Sequence, residues 1–484
     1  MRRLLGALLA VGVTAGAAAP AYAEPALDWQ PCAQNAEVEC STVRVPLDWA
    51  NPHGEQIEIA VARRPATDPE NRIGTLVHMP GGPGGTGVDP LVAANPFAPD
   101  LAARFDVVSF DPRGFGASHP VQCDPALIDQ APDPLPDGPE HFQRLLDHNR
   151  RASDDCRARS GAIVDHMDTA SAARDIDAFR AALGEQQLNL YGISYGTLTG
   201  QMYAEQFPER VRSLVLDSVF DHSQDTAGFL VTQAEAAEDS FHEFAKWCDR
   251  DTACALHGED VGAVYDELYE RAEAGELQEP GGSGPMTPVE LTRGAVGGFY
   301  GPSWHALAAE LDALRDSAPI SPAQHQEAVP NPAAAFCNDH RIEVDSAEHY
   351  AELFRRQQQA APHVRAGVGG VVAPSCLGWR APVQNPQHVP RIRTDAPVLI
   401  LNALHDPATG YNWATTVDSH IEQATLLTYD GWGHGVYDRN RCTLDATHTY
   451  LIDGVMPAEG AHCPAVQPEV PAAASPVETP TAPW

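Results

Sequence analysis

The chain has 484 residues, 43% of them hydrophobic, so it is long enough for two or three domains and a large core. Its formal net charge of −35 argues against nucleic acid as a partner, because phosphate binding needs clusters of Lys and Arg. The same charge disfavours an anionic membrane surface. The negative charge either keeps the protein soluble or creates an acidic field that attracts cationic substrates.

The first 23 residues have the pattern of a secretory signal peptide. Arg2 and Arg3 form a charged start, residues 4–18 form an apolar run, and residues 21–23 form an A-x-A cleavage site. Cleavage there leaves a mature chain that begins at Glu24. No later apolar run is long enough to cross a bilayer. We therefore expect a secreted protein that does not stay in a membrane.

Ten cysteines agree with an oxidising compartment. An even count in short local pairs favours five disulfides between sequence neighbours: Cys32–Cys40, Cys123–Cys156, Cys248–Cys254, Cys337–Cys376 and Cys442–Cys463. A metal site would need C-x-x-C or histidines at ligand spacing, and the sequence has neither.

Apolar runs along the chain predict strands at residues 38–45, 56–63, 75–79, 105–110, 188–193, 213–219, 397–404 and 424–429. The later runs are continuously apolar, which is typical of a parallel sheet covered on both faces. Between them, Asp168 can cap a helix that ends at Gly184. This alternation of strand and helix predicts an α/β fold with its site at the carboxyl edge of the strands.

The pattern changes after about residue 220. Residues 220–382 are rich in helix formers with acidic faces and predict an inserted helical cap over the site, with a Gly/Pro loop at 280–285. The core then consists of residues 24–219 and 383–466. The tail at 467–484 is rich in Pro and Ala, and we expect it to be disordered.

The most informative motif is Gly192-Ile193-Ser194-Tyr195-Gly196, of the form G-x-S-x-G. It lies between a predicted strand and a predicted helix, the context of the nucleophile elbow of α/β-hydrolases. The turn is so tight that the residues two before and two after the serine must be very small. Ser194 is therefore the predicted nucleophile.

A serine nucleophile needs a base, and the base needs an orienting carboxylate. In α/β-hydrolases the order along the chain is serine, acid, histidine. Asp406 follows a buried strand, and His434 follows the next strand within a glycine-rich turn. Asp406 and His434 are thus the predicted acid and base, and His405 beside the acid is interpreted as incidental.

Two backbone N–H groups must face the oxyanion. One is predicted at Tyr195, and the other in the loop at 80–85, at Gly82 with Gly81 as the next choice. A phosphate-binding loop would carry Lys followed by Ser or Thr, which is missing here. We interpret the turn at 111–118 as structural and expect Arg113 to pair with a carboxylate.

Together these motifs resemble secreted bacterial tripeptidyl aminopeptidases, which belong with the prolyl aminopeptidase group of α/β-hydrolases. The segments that carry the resemblance are Pro80-Gly81-Gly82-Pro83-Gly84, Asp111-Pro112-Arg113-Gly114, the Ser194 elbow, Asp406-Pro407-Ala408-Thr409 and Gly431-Trp432-Gly433-His434-Gly435. A triad of serine, histidine and aspartate needs no metal, so no cofactor is expected. The resemblance implies an exopeptidase that removes short peptides or single residues from free N-termini, with Ser194, Asp406 and His434 as its triad. Its substrates are peptides with a free N-terminus.

Such an enzyme must hold the substrate's ammonium group, which calls for carboxylates. The candidates are Asp339, then Glu235 and Glu238, with Asp239 beside them; each is also explained by a solvated or structural role. The sequence leaves two other functions open. One is a carboxylesterase or lipase-like hydrolase that uses the same three side chains, and the other is a secreted binding protein with a hydrolase fold.

Overall fold

The computed structural model describes residues 27–278, 285–315 and 332–468, and its centre is one ten-stranded sheet. The strands are β1 (Gln30–Cys32), β2 (Asn35–Pro46), β3 (Gln56–Arg64), β4 (Gly74–Met79), β5 (Phe105–Phe110), β6 (Leu188–Ile193), β7 (Val211–Asp217), β8 (Val398–His405), β9 (Ala424–Trp432) and β10 (His462–Cys463). The predicted signal peptide lies outside the described residues, as do most of the predicted tail and of the 280–285 loop.

The order of the strands across the sheet is β1-β2-β3-β5-β4-β6-β7-β8-β9-β10. The pairs β1–β2, β2–β3 and β3–β5 are antiparallel. The remaining pairs across the sheet, from β5–β4 to β9–β10, are parallel. Every strand predicted from the sequence is present, and β6 has the predicted bounds. The short edge strands β1 and β10 were not predicted.

Helices connect the strands and cover the sheet. They are α1 (Val88–Ala93), α2 (Pro99–Arg104), α3 (Pro125–Ile128), α4 (Gly138–Ser160), α5 (Thr169–Ala182), α6 (Tyr195–Gln206), α7 (Thr226–Arg250), α8 (Val261–Glu273), α9 (Pro288–Tyr300), α10 (Trp304–Arg315), α11 (Ala333–Asp339), α12 (Ala347–Ala360), α13 (Val368–Val372), α14 (Tyr411–His420) and α15 (Arg441–Asp453). Asp168 caps α5 by accepting a hydrogen bond from Ser171 N, as predicted.

Apolar side chains on alternate residues of the central strands point to opposite faces of the sheet. Leu188 and Leu190 of β6 pack in one cluster with residues of α5 and α6, whereas Tyr191 packs on the other face with residues of α1, α2 and α15. All six residues of β5 are buried. This two-sided burial explains the continuous apolar runs and confirms the predicted α/β class, a mostly parallel sheet with helices on both faces.

Between β7 and β8 the described chain carries the helices α7 to α13, joined by irregular segments, and none of the strands of the sheet. Part of it forms a separate hydrophobic cluster around Phe241, Tyr265 and Trp304. Other parts, including Phe229 of α7 and Phe336 of α11, pack into the main core. The segment is therefore joined to the sheet by shared packing, and the domain limits at 220 and 382 stay predictions.

All five predicted disulfides are confirmed: Cys32–Cys40, Cys123–Cys156, Cys248–Cys254, Cys337–Cys376 and Cys442–Cys463. They account for all ten cysteines of the chain. None of the helices within the described ranges has the length and apolar character that crossing a bilayer requires.

Candidate active site

The predicted nucleophile Ser194 lies at a sharp turn between β6 and α6. Its backbone has φ 55° and ψ −127°, which non-glycine residues rarely adopt and which fits a nucleophile elbow. A Cβ atom on Gly196 would lie 2.2 Å from the Met79 carbonyl oxygen, and one on Gly192 would lie 2.6 Å from the Gly196 oxygen. These close approaches explain why glycines flank the serine.

The glycine-rich loop after β4 packs against this turn. A Cβ atom on Gly81 would lie 3.1 Å from Ser194 Cβ and 3.6 Å from Ser194 Oγ, so the backbone of Gly81 faces the serine side chain. Gly82 has a φ of 135° and precedes a cis peptide bond to Pro83. Tyr195 is the first residue of α6. The loop and the helix start therefore meet at the serine, and the oxyanion roles of Gly82 and Tyr195 stay predictions.

The predicted acid and base form a hydrogen-bonded pair at the ends of neighbouring strands. His434 Nδ1 lies 3.0 Å from both carboxylate oxygens of Asp406. Asp406 is 1% exposed and also accepts hydrogen bonds from the Ala408 and Thr409 amides and the Thr409 hydroxyl. Within the described part of the chain, the buried His434 Nε2 atom has no hydrogen-bond partner.

Asp406 is held in its charged form. Burial alone would raise its pKa, but His434 and the Ala408 and Thr409 amides outweigh that effect and hold the pKa of Asp406 below its ordinary value. An ionised Asp406 favours the tautomer of His434 with its proton on Nδ1. That tautomer presents Nε2 as a proton acceptor.

A buried carboxylate that the sequence analysis missed links the elbow to the histidine loop. The backbone oxygen of Asp217 accepts a hydrogen bond from Ser194 N at 2.9 Å. Its side chain accepts hydrogen bonds from Val436 N, Tyr437 N and Tyr191 Oη. Burial raises the pKa of Asp217, and these donors oppose that rise. One residue at the end of β7 thus holds both the serine turn and the chain just after His434.

The arrangement agrees with the comparisons with known proteins. The family model described as alpha/beta hydrolase fold matches residues 74–440, more than half of the chain. The chain belongs to the α/β-hydrolase family. A tripeptidyl aminopeptidase of Streptomyces lividans is 32% identical over 93% of this chain and 88% of its own. The serine protease Hip1 of Mycobacterium tuberculosis is 29% identical over 95% of each chain.

A protein of Mycobacterium tuberculosis named carboxylesterase B is 31% identical over 95% of this chain and 94% of its own. A solved proline iminopeptidase of Mycobacterium smegmatis aligns with 85% of this chain and 98% of its own, at 17% identity and a TM-score of 0.39. The family model and the relatives named tripeptidyl aminopeptidase and serine protease show that this α/β-hydrolase is a serine hydrolase, similar to those peptidases along almost its whole length.

In this α/β-hydrolase the helical segment between β7 and β8 contacts His434, the predicted base, directly. The Tyr300 backbone oxygen at the end of α9 accepts hydrogen bonds from His434 N and Arg439 Nη2, each at 2.8 Å. The Tyr300 ring lies 4.7 Å from the His434 ring, centroid to centroid. Arg439 also donates to the His434 and Gly435 backbone oxygens. The position of His434 therefore depends on the helical segment as well as on the sheet.

The turn at 111–118 has the predicted structural role. Arg113 is 1% exposed and pairs with Asp175 through two hydrogen bonds of 2.6 and 2.7 Å. Asp111 accepts hydrogen bonds from the amides of Gly87 and Val88, which follow the glycine-rich loop. The turn thus supports the loop that faces Ser194.

The three carboxylates predicted to hold a substrate ammonium lie in different surroundings. Asp339 is fully buried and accepts a hydrogen bond from Tyr195 Oη. Glu238 is 5% exposed and accepts hydrogen bonds from the His363 and Val364 amides. Glu235 is exposed on α7. Their role towards an ammonium group stays a prediction.

One further contact was also missed from the sequence. Asp239, one turn after Glu235 on α7, pairs with His405 Nδ1 at 2.7 Å. His405 therefore has a structural partner next to Asp406, and its interpretation as incidental to the reaction stays a prediction. Within the described residues, no group of three or more His, Cys, Asp or Glu side chains could hold a metal ion.

Proposed function

We propose that this serine hydrolase is an exopeptidase that releases short peptides, with tripeptides foremost, or single residues from free N-termini. The observation that carries the proposal is the hydrogen-bonded Asp406–His434 pair. It is supported by the approach of the histidine loop to the residue before Ser194, since a Cβ atom on Gly435 would lie 3.0 Å from Ile193 Cδ1. The proposal is also supported by a relative named tripeptidyl aminopeptidase that matches 93% of the chain.

In the proposed reaction, Ser194 Oγ attacks the scissile carbonyl while His434 Nε2 takes the serine proton. His434 then gives that proton to the leaving amine, so the C–N bond breaks and an acyl-enzyme remains. Water attacks the acyl group, again with His434 as base, and Ser194 recovers its proton when the peptide acid leaves. Asp406 keeps the His434 ring oriented and stabilises its charged form.

The negative charge on the carbonyl oxygen would be held by the backbone N–H groups of Tyr195 and Gly82. A Cβ atom on Gly81 would lie 3.6 Å from Ser194 Oγ, which supports a donor in this loop and keeps Gly81 as the alternative to Gly82. Losing one such donor typically costs about 10²–10³ in kcat.

An N-terminal exopeptidase must bind the substrate's ammonium group. Of the three predicted carboxylates, Glu235 is the exposed one, and it lies one turn from Asp239 on the same face of α7. Both oxygens of Glu238 are engaged by the His363 and Val364 amides. We therefore propose Glu235 as the first carboxylate to test for this role.

The test compares a free tripeptide anilide, its N-acetylated form and a short-chain ester. We expect rapid turnover of the free peptide and almost none of the acetylated one. Ser194→Ala should lose turnover and labelling by a fluorophosphonate probe, whereas Ser419→Ala, which changes an exposed serine on α14, should keep both. Equal turnover of free and blocked peptides, or an active Ser194→Ala, would refute the proposal.

The second candidate function is a carboxylesterase that uses the same three side chains, and the specific observation in its favour is the relative named carboxylesterase B. Acyl-enzyme chemistry serves esters as well as amides. Rapid ester turnover without any release of peptides from a mixed peptide library would select this function. Mass spectrometry of the library also shows from which end cleavage occurs and how many residues are released.

We further propose that the protein acts outside the cytoplasm after removal of residues 1–23. Five disulfides among the described residues support an oxidising destination. N-terminal sequencing of the exported protein should begin at Glu24. Protein retained in the cytoplasm with Met1 in place would contradict this.

A further inference from the structure

One short helix, α11, contacts both of the chain segments that carry the predicted oxyanion donors. At the start of α11, Pro332 lies against the glycine-rich loop, since a Cβ atom on Gly84 would be 3.5 Å from Pro332 Cβ. At the end of α11, Asp339 Oδ2 accepts a hydrogen bond of 2.7 Å from Tyr195 Oη. Tyr195 directly follows Ser194 and carries the other predicted donor. α11 therefore spans the distance between the two backbone segments.

Asp339 is enclosed by donors from the protein itself. Its Oδ1 atom accepts hydrogen bonds from Thr169 N and Thr169 Oγ1, each at 2.9 Å, and from Asn385 Nδ2 at 3.0 Å. With Tyr195 Oη on Oδ2, four donors surround a side chain that is 0% exposed. Burial, with a smaller contribution from Asp168, raises the pKa of Asp339 to about 7 against these donors. No face of this carboxyl is open to a substrate ammonium.

α11 is firmly fixed in place. Cys337 is bonded to Cys376, and Phe336 lies in the main hydrophobic core. Asn338 accepts a hydrogen bond from Met167 N and donates one to the Val164 oxygen. A carboxyl group at the end of such a helix can hold its partner in one position.

We propose that Asp339 is a positioning residue that anchors the Tyr195 side chain and thereby fixes the direction of the Tyr195 N–H group at the oxyanion. The inference rests on the proposed function, in which that N–H group is a donor. The Tyr195 ring is buried against Phe220, with ring centroids 5.3 Å apart, so the hydrogen bond to Asp339 fixes the far end of an already packed ring. This role takes the place of the ammonium-binding role predicted for Asp339 from the sequence.

The decisive variant is Tyr195→Phe, which removes one oxygen atom and keeps the ring. Misaligning one oxyanion donor costs less than losing it, so we expect kcat to fall about 10-fold with KM within about 2-fold of wild type. The fall should be equal for a free tripeptide anilide and a p-nitrophenyl ester, because both pass through an oxyanion. Tyr203→Phe is the matched control: it removes a buried hydroxyl of α6 that lies 3.4 Å from the Asp177 carboxylate.

Asp339→Asn distinguishes the two roles of this residue. If Asp339 acts through Tyr195, the substitution lowers kcat on both substrates and adds nothing in the Tyr195→Phe background. If Asp339 instead binds the ammonium group, it raises KM for the free peptide only, and its effect adds in full to that of Tyr195→Phe. That second result overturns the proposal, as does wild-type kcat of Tyr195→Phe on the ester.

The proposed peptidase function and the anchoring role of Asp339 can be refuted independently of each other. The ester assay reports on the oxyanion even where no peptide is cleaved, so a protein without peptidase activity still tests the anchoring of Tyr195. An active Ser194→Ala would refute the proposed function itself. Thermal melting of each variant identifies loss of folding, and Tyr195→Phe decides the matter even where Asp339→Asn does not fold.

Discussion

Thr409 supports the acid–base pair through a single hydroxyl group that can be removed cleanly. Its Oγ1 atom donates to Asp406 Oδ2 at 3.0 Å and lies 3.3 Å from His434 Nδ1. Thr409→Val keeps the shape of the side chain and the backbone amide, which donates to Asp406 Oδ1 at 2.9 Å. Thr409→Ser restores the hydroxyl and is the matched rescue variant.

The size of the effect follows from the contacts that remain. A hydrogen bond to a charged group contributes about 1.5–3 kcal/mol, which corresponds to about 10- to 150-fold in rate. Asp406 keeps the Ala408 amide, the Thr409 amide and His434 as partners in Thr409→Val. We therefore expect the lower half of the range, a fall of about 10- to 40-fold in kcat/KM. Thr409→Ser should recover most of that loss.

Stability should change with pH in a defined direction. The folded-state pKa of Asp406 is lowered, so its ionised form contributes stability that is present above the unfolded-state pKa and is lost as pH falls through the folded-state pKa. Urea unfolding should therefore show Thr409→Val as less stable than wild type near neutral pH. The difference should shrink in acid, where the carboxyl is neutral in both proteins.

The assay is steady-state hydrolysis of a free tripeptide anilide, with active enzyme counted by fluorophosphonate labelling. A value of kcat/KM for Thr409→Val within about 2-fold of wild type would refute the reasoning, because it would mean that the hydroxyl does not stabilise the charged pair. An equal loss in Thr409→Ser and Thr409→Val would also refute it, since the hydroxyl would then not be the cause.

Two further predictions concern folding. Asp175→Asn leaves the buried Arg113 guanidinium without its counter-charge, and we expect the free energy of unfolding in urea to fall by about 3–5 kcal/mol. An unchanged midpoint of unfolding would contradict this. Gly196→Ala should yield little soluble, active enzyme, because the new Cβ atom would lie 2.2 Å from a backbone oxygen of β4. Its control is Gly297→Ala in α9, where a Cβ atom meets nothing within 4 Å, and normal yields of both variants would show that the elbow tolerates the extra atom.

Much of the fold follows from local signals in the sequence. The run at residues 188–193 became β6 with unchanged bounds, because a strand covered on both faces of the sheet is apolar at most of its positions. The edge strands β1 and β10 have three and two residues, too few for a recognisable pattern. They exist because neighbouring strands offer them backbone partners, and that information is not local to their own residues.

The elbow and the acid–base pair could also be predicted from the sequence, because each depends on short-range patterns. The glycines around Ser194 mark a tight turn, and Asp406 and His434 each follow an apolar run. The residues that hold these side chains in place show no such pattern in the sequence. Asp217 reads as the end of a strand, and its bonds to Ser194 and Val436 appear only once the chain is folded. The same is true of Tyr195 and Asp339, which are 144 residues apart in sequence.

These long-range contacts change how the helical segment between β7 and β8 is understood. From the sequence it is an insertion over the site, which would affect substrate access and hence KM. In the structure, the Tyr300 oxygen binds the His434 amide, and Asp339 binds the Tyr195 side chain. Substitution of Asp339 should therefore change kcat, whereas substitutions at exposed positions such as Glu235 should act on KM. We therefore expect the segment to position the predicted reacting groups as well as to control the access of substrate to them.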